Sequence, residues 1–452
     1  MVLRERSFGL ILTGLSSYLA RLGSGLVILI TIPQVRQSLD PELFGVWMML
    51  SSLIVFFGFA DLGVGNSVLN YVSESNAKRN YNRLRQAVFS GYVVAATGSV
   101  VILAGWSLWR WLATEPTALA GVISVSNRDK VSDAFDLFFL TLAIVSLLGL
   151  VQKIRLGMQR GYWNGISMFG CSIVTLVAVP VVLEREMGLT GLVLATLGVQ
   201  ALGHFINTIA LIFSNTHIFF SKGGLPFNKV VFFGVLRTGL VFFLMQISVA
   251  LAFQSDAIVL IQVLGQEPYG DFAVVQKLFF LITSVVLAAI AGLWAAFGDA
   301  IATKDFYWVR RALFKASLIS LCVAGACVIV LSWQMASLLE VWLGVRLHVP
   351  WQLLTVLSLW VVIESVANVM AAFMNAANIL KAQVAIGAIM AMIAFLLKWP
   401  LVDYLGAYGS TLATLITYLV ISVPAQWYLI SRQFRIWKDQ PTSVISQTCS
   451  EG

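Results

Sequence analysis

Long apolar segments alternate with short polar ones along the whole chain. A helix rises about 1.5 Å per residue, so about 20 apolar residues cross a hydrocarbon core that is about 30 Å thick. The first segment, residues 8–32, is apolar except for a few small polar side chains and Arg21. The pattern predicts twelve membrane-spanning helices, which lie within residues 8–32, 43–70, 86–112, 134–157, 163–183, 189–213, 234–263, 272–298, 313–339, 351–377, 382–404 and 406–431.

The first segment recurs in the second half of the chain at a constant offset of 225 residues. The matches pair Phe8-Gly9 with Phe233-Gly234, Thr13-Gly14-Leu15 with Thr238-Gly239-Leu240, and Gly45 with Gly270. Each half holds six spans, and an even number of spans gives both halves the same orientation in the membrane. We therefore expect an all-α integral membrane protein of two parallel six-helix repeats, divided into an N-terminal lobe at 1–214, a cytoplasmic linker at 215–233, a C-terminal lobe at 234–431 and a cytoplasmic tail at 432–452.

Composition and charge agree with this class. Hydrophobic residues make up 59% of the chain and charged residues 11%, whereas soluble domains are about 25% charged. A net charge of +8 would favour nucleic acid as the partner of a soluble chain. Here nineteen Lys and Arg residues lie in or beside the loops on one side and six in those on the other. The positive-inside rule then predicts cytoplasmic termini, and no nucleic-acid partner is expected.

Sequence motifs for catalysis and for metal binding are missing. The chain has four cysteines without a Cys-x-x-Cys pair, and no P-loop, His-Glu-x-x-His or Gly-x-Ser-x-Gly. The predicted outer loops are short, so they offer little room for an acid and base pair. We expect neither an enzyme nor a bound metal or cofactor.

Charged side chains inside spans are the most informative residues, because each needs a partner, water or a ligand. Arg21 and Glu364 lie at similar depth near the predicted midplane, where either ligand binding or a mutual ion pair would explain them. For Arg237, Asp256, Lys277 and Lys398, the alternative is a side chain that snorkels to the interface. His204 could relay protons, and the alternative is a core histidine with satisfied hydrogen bonds. The remaining in-span charges are Asp61, Arg237, Asp256, Lys277 and Lys398.

Three short motifs resemble the polysaccharide-export or O-antigen flippases of the multidrug/oligosaccharidyl-lipid/polysaccharide transporter superfamily. The motifs are Leu43-Phe44-Gly45-Val46-Trp47, Phe59-Ala60-Asp61-Leu62-Gly63, and Leu293-Trp294-Ala295-Ala296-Phe297 with Lys304-Asp305 and Trp308-Val309-Arg310-Arg311. The resemblance covers the whole chain in span count and repeat. It implies a V-shaped bundle in the inner membrane that moves a polyprenyl-pyrophosphate-linked oligosaccharide from the cytoplasmic to the periplasmic leaflet by alternating access, for lipopolysaccharide biosynthesis.

The resemblance assigns roles to the in-span charges. Arg21, with Lys277 and Arg237, is expected to attract the anionic pyrophosphate or acidic sugars. Asp61, Asp256 and Glu364 are candidates for coupling transport to H⁺ or Na⁺. Expected partners are the lipid-linked oligosaccharide, membrane lipids and other polysaccharide-assembly proteins. Two alternatives stay open, namely a cation-coupled multidrug exporter of the same fold and a membrane scaffold without a transport role.

Overall fold

The computed structural model is helical throughout the part of the chain that it describes. That part comprises residues 2–57, 61–112, 127–216, 227–290, 293–377 and 379–438, and it excludes the side chains of residues 2–11, 77, 288, 289, 294, 295, 302, 380, 381 and 438. Parts of the predicted linker and tail, and Phe59-Ala60 of the second motif, lie outside the described residues.

Fifteen helices are labelled here in chain order. They are α1 Val2–Ser38, α2 Pro41–Phe56, α3 Val64–Ala77, α4 Tyr81–Leu112, α5 Arg128–Gly157, α6 Tyr162–Glu184, α7 Gly188–Ser214, α8 Lys229–Phe253, α9 Asp256–Leu264, α10 Gln266–Ile290, α11 Leu293–Ala302, α12 Phe306–Leu343, α13 Trp351–Ala376, α14 Leu380–Leu405 and α15 Tyr408–Trp437.

The predicted fold class is confirmed. Among the described residues, eleven helical stretches are long and apolar enough to cross a membrane, and the shorter apolar α2 with α3 forms the second predicted segment. The predicted boundaries of the first span are too narrow, because α1 continues through Pro33 to Ser38. Arg21 therefore lies about 26 Å from the outer end of α1, nearer the inner boundary of a 30 Å core than its middle.

A break divides the second predicted span into α2 and α3. Leu62 and Gly63 both adopt left-handed backbone conformations there, with φ angles of 53° and 69°. The Asp61 carboxylate accepts hydrogen bonds from the amides of Gly63 at 2.9 Å and Gly65 at 3.0 Å. These two amides at the start of α3 would otherwise lack a partner. Asp61 thus acts as a cap where the membrane-embedded backbone leaves the helix.

The two halves of the chain pack against each other where α3 meets α8 and, near the predicted outer end, where α2 crosses α10. A Cβ atom at Gly45 would lie 2.1 Å from the backbone oxygen of Gln266, and one at Gly270 would lie 3.1 Å from the Cα of Gly45. No side chain fits at Gly45 without moving the backbone. The two glycines are separated by the 225-residue offset, so the helices cross at equivalent points of the repeat.

Polar contacts join the two halves at the same end. A guanidinium nitrogen of Arg36 lies 3.6 Å from a carboxylate oxygen of Asp271. The Tyr269 hydroxyl donates a hydrogen bond of 2.7 Å to the Ser52 hydroxyl, and Tyr269 is 1% exposed. With the glycine crossing, these contacts close the space between the halves at the predicted outer end.

Candidate functional site

A cavity of about 620 Å³ lies between helices of the two halves. Its wall combines many hydroxyl and amide side chains with a small number of charges. On α5 and α6 it reaches Gln152 and Ser167, each five residues, or about 8 Å, from the predicted inner end of its helix. The cavity therefore extends toward the end opposite the closed crossing.

The first half of the chain supplies a wall without a carboxylate, Lys or Arg. This wall, called the hydroxyl wall below, carries small polar groups, amides and the imidazole of His204. His204 is partly buried and lines the cavity. The polar members of the hydroxyl wall are Ser24, Ser51, Ser52, Gln152, Ser167, Ser172, Thr175, Thr196, Gln200 and His204.

Lys277, from the second half of the chain, places a cation in the same cavity. It lies on α10, and its ammonium stands 5.9 Å from the centre of the Trp47 ring. Such a distance permits a cation–π attraction. Lys277 has no carboxylate within ion-pair distance in the described part of the chain. An anion that entered the cavity would meet an available ammonium.

Glu364 places a carboxylate in the same cavity. It lies on α13 and accepts a hydrogen bond of 3.2 Å from the hydroxyl of Thr283 on α10. Within the described ranges, no Lys, Arg or His pairs with it. The alternative of a structural ion pair between Arg21 and Glu364 is therefore not what the structure shows.

Asp256, a third charged group at the cavity, is paired. Its carboxylate lies 2.6 Å from the ammonium of Lys398 on α14, and Lys398 is 0% exposed. Lys398 is thus buried in the second half of the chain and does not snorkel to the interface. The carboxylate also accepts hydrogen bonds from Ser410 and Gln276.

Lys398 also satisfies the backbone at a second helix break, between α8 and α9. Its ammonium donates to the backbone oxygen of Ala252 at 2.9 Å and to the hydroxyl of Ser255 at 3.0 Å. The last carbonyls of α8 need such partners because the break lies within the membrane. Asp256 begins α9 directly after it, so the pair with Lys398 holds both sides of the break.

Arg21 and Arg237 are exposed and lie outside the cavity wall. Arg21 precedes the cavity residues Ser24 and Ile28 by three and seven residues, so it occupies the same face of α1, closer to the inner end. Arg237 lies eight residues, about 12 Å, from the start of α8 at Lys229. Neither has an ion-pair partner among the described residues.

Of the predicted site residues, the structure brings Lys277, Asp256 and Glu364 to one cavity. It places Asp61 at a helix cap. Reasoning from sequence missed the hydroxyl wall, although a stripe of Ser167, Cys171 and Thr175 at helical spacing on α6 is a visible signal.

Comparisons with known proteins agree with this architecture. Residues 13–295 match a family model described as polysaccharide biosynthesis protein. A Yersinia pseudotuberculosis protein named for O-antigen export is 22% identical over 428 residues, which cover 93% of this chain and 94% of that one. A Salmonella typhi protein named as an O-antigen transporter is 24% identical over 311 residues, which cover 66% of this chain and 67% of that one.

Solved structures show the same fold. An inward-facing multidrug resistance MATE family transporter of the MOP superfamily superposes with a TM-score of 0.72 at 15% identity, over 95% of this chain and 96% of that one. A MOP superfamily transporter from Pyrococcus furiosus gives a TM-score of 0.63 at 16% identity, over 95% of this chain and 96% of that one. The resemblance identified from the motifs is confirmed, and the chain belongs to the polysaccharide biosynthesis protein family, with the fold of MOP superfamily transporters.

Proposed function

We propose that the protein is an inner-membrane flippase that moves a polyprenyl-pyrophosphate-linked oligosaccharide from the cytoplasmic to the periplasmic leaflet by alternating access. The observation that carries the proposal is the polar cavity between the two halves, which is closed by the α2–α10 crossing at the predicted outer end. A cavity of this volume accommodates a group of drug-like size, so it would hold the diphosphate and the sugars next to it and not the whole cargo. The names of the two relatives support O-antigen units as the class of cargo.

The cations are arranged to receive the pyrophosphate in two stages. Arg21 lies near the predicted cytoplasmic boundary of the hydrocarbon core, and a guanidinium can form bidentate hydrogen bonds to phosphate. Lys277 lies deeper and offers a point charge. Arg237, also exposed near the predicted inner end, adds to the attraction. The substrate would first meet Arg21 or Arg237 and then Lys277.

Glu364 is the carboxylate that we propose for coupling to H⁺ or Na⁺. Asp61 is engaged as a helix cap, and Asp256 is neutralised by Lys398. Glu364 faces the cavity with a hydroxyl as its partner, so proton or Na⁺ binding there would change the charge of the cavity itself. Glu364→Gln should therefore abolish the dependence of transport on an imposed ion gradient.

Transport by the purified full-length protein in liposomes tests the proposal. A fluorescent lipid-linked oligosaccharide should cross the bilayer with wild-type protein, and Lys277→Gln should slow the crossing at least tenfold. Lys315→Gln is the matched control, because Lys315 is exposed on α12 outside the cavity and its loss should leave the rate unchanged. No crossing with wild-type protein would refute the flippase. Crossing of cationic drugs instead would favour the exporter.

A further inference from the structure

Five of the seven hydroxyls of the hydroxyl wall have already used their hydrogen-bond donors. A Ser or Thr hydroxyl has one donor and two acceptor lone pairs. Five cavity hydroxyls donate to backbone oxygens, so each presents only lone pairs to the cavity. The bonds are Ser24 to Ala20 at 3.0 Å, Ser51 to Trp47 at 3.0 Å, Ser167 to Gly203 at 3.3 Å, Ser172 to Met168 at 3.0 Å and Thr196 to Leu192 at 2.7 Å.

A wall of acceptors discriminates between the two ends of a lipid-linked sugar. A sugar hydroxyl can donate to these oxygens, and it can accept from the amides of Gln152 and Gln200. A phosphate or carboxylate only accepts, so it could bond to the amides but not to these five hydroxyl oxygens, and it would place its charge against their lone pairs. The wall therefore favours neutral hydroxyl-bearing ligands over anions.

The second half of the chain contributes complementary chemistry to the cavity. The ammonium of Lys277 has three donors, no acceptor and no carboxylate partner among the described residues. In addition, the buried hydroxyl of Thr411, which is 4% exposed and lines the cavity, has no hydrogen-bond partner within the described residues. A polar ligand in the cavity would provide the missing hydrogen-bond partner of this hydroxyl.

We infer that the cavity binds its substrate in one orientation, with a neutral sugar against the hydroxyl wall and the diphosphate at Lys277. The inference rests on the proposed function and adds a glycan subsite built by α6 and α7, and a preference for neutral over acidic sugars next to the diphosphate. The juxtaposition that carries it is a wall rich in hydroxyl acceptors from the first half of the chain, in the same cavity as an ammonium from the second half that pairs with no carboxylate in the described ranges.

Two probes separate the subsites in equilibrium binding to the full-length protein in lipid nanodiscs. Farnesyl pyrophosphate carries the anion alone, and a farnesyl-pyrophosphate-linked neutral disaccharide carries both parts. The variant Ser167→Ala/Thr196→Val should weaken binding of the disaccharide probe about tenfold, since it removes two neutral hydrogen bonds. It should leave farnesyl pyrophosphate unaffected, whereas Lys277→Gln should weaken both probes.

The matched control is Thr97→Val. The Thr97 hydroxyl also donates to the backbone four residues earlier, at 3.0 Å, but it is exposed on α4 outside the cavity. It should bind both probes like wild type. A glucuronate-containing disaccharide probe should bind more weakly than the neutral one.

The inferred orientation would be overturned if Ser167→Ala/Thr196→Val weakened binding of both probes equally. It would also be overturned if the acidic probe bound as tightly as the neutral one. Neither result would contradict the proposed flippase function. Loss of only the disaccharide probe in Lys277→Gln would show the reverse orientation. Failure of the wild-type protein to bind either probe would instead count against the proposed function.

Discussion

Removing Lys398 should destabilise the protein because it leaves the Asp256 carboxylate in the membrane interior without a cation. The substitution Lys398→Met keeps most of the side-chain length and removes the ammonium. The ion pair has an N–O separation of 2.6 Å, and its partners are 0% and 7% exposed. Water cannot replace the lost charge at such burial.

The size of the loss in stability follows from the interactions that each group would lose. Breaking a buried ion pair by removal of one partner costs about 3–5 kcal/mol. The backbone oxygen of Ala252 would keep only the longer bond from Thr414, at 3.4 Å, which adds to the cost at the α8–α9 break. Against a typical stability of about 5–15 kcal/mol, most of the protein should be lost from the membrane.

The double variant Lys398→Met/Asp256→Asn provides the comparison. It removes both charges, and the amide introduced in place of the carboxylate can still bond to Ser410 and Gln276, so most of the stability should return. Membrane abundance and thermal stability in detergent measure the effect for each single variant and for the double variant. Transport by the double variant then shows whether Asp256 has a role besides holding the break.

Two results would refute this reasoning. Wild-type stability of Lys398→Met would show that the pair is not maintained in the membrane. A double variant no more stable than Lys398→Met would show that the loss came from packing or from the Ala252 carbonyl and not from the unpaired charge.

The other predictions concern the inner mouth, the outer closure and the topology. Arg21→Ala should abolish export while the protein keeps its normal abundance in the membrane, and Arg21→Lys should retain part of the export activity. Export assays and immunoblots measure the two effects. Normal export by Arg21→Ala would contradict the role assigned to Arg21. Gly45→Val should prevent closure against Gln266, so that a cysteine reagent reaches the cavity from the periplasm, and unchanged labelling would contradict this. Reporter fusions at Asn127 and Lys222 should lie on opposite sides of the membrane, and a shared side would refute cytoplasmic termini.

The spans were predictable because length and hydropathy determine what crosses a bilayer. The breaks were not, since hydropathy averaged over a segment does not register the left-handed Leu62 and Gly63 or the cap by Asp61. The predicted first span ends at residue 32, whereas α1 continues through Pro33, since membrane helices tolerate proline where neighbouring groups satisfy the backbone.

Which charged residues lie within spans could be predicted, but the direction of each around its helix could not, and the depth of Arg21 was wrong because α1 continues to Ser38. For that reason Asp256, Lys277 and Glu364 were identified as important while the pairing of Asp256 with Lys398 was not. The hydroxyl wall was missed for a different reason. Ser and Thr commonly bond to their own helix, and only the three-dimensional arrangement shows that several of these hydroxyls share one cavity.

The contact between Gly45 and Gly270 has a consequence for the ancestry of the protein. Residues that are equivalent in two copies can touch each other only close to the axis that relates the copies. In an ancestor of half the length that formed a dimer, the residue at this position would have contacted the same residue of the other subunit. One substitution would then have introduced two side chains into the same space. If the halves arose by duplication and fusion, the two positions could since change separately, yet a side chain at Gly270 would still meet Gly45, and one at Gly45 would meet the backbone of Gln266.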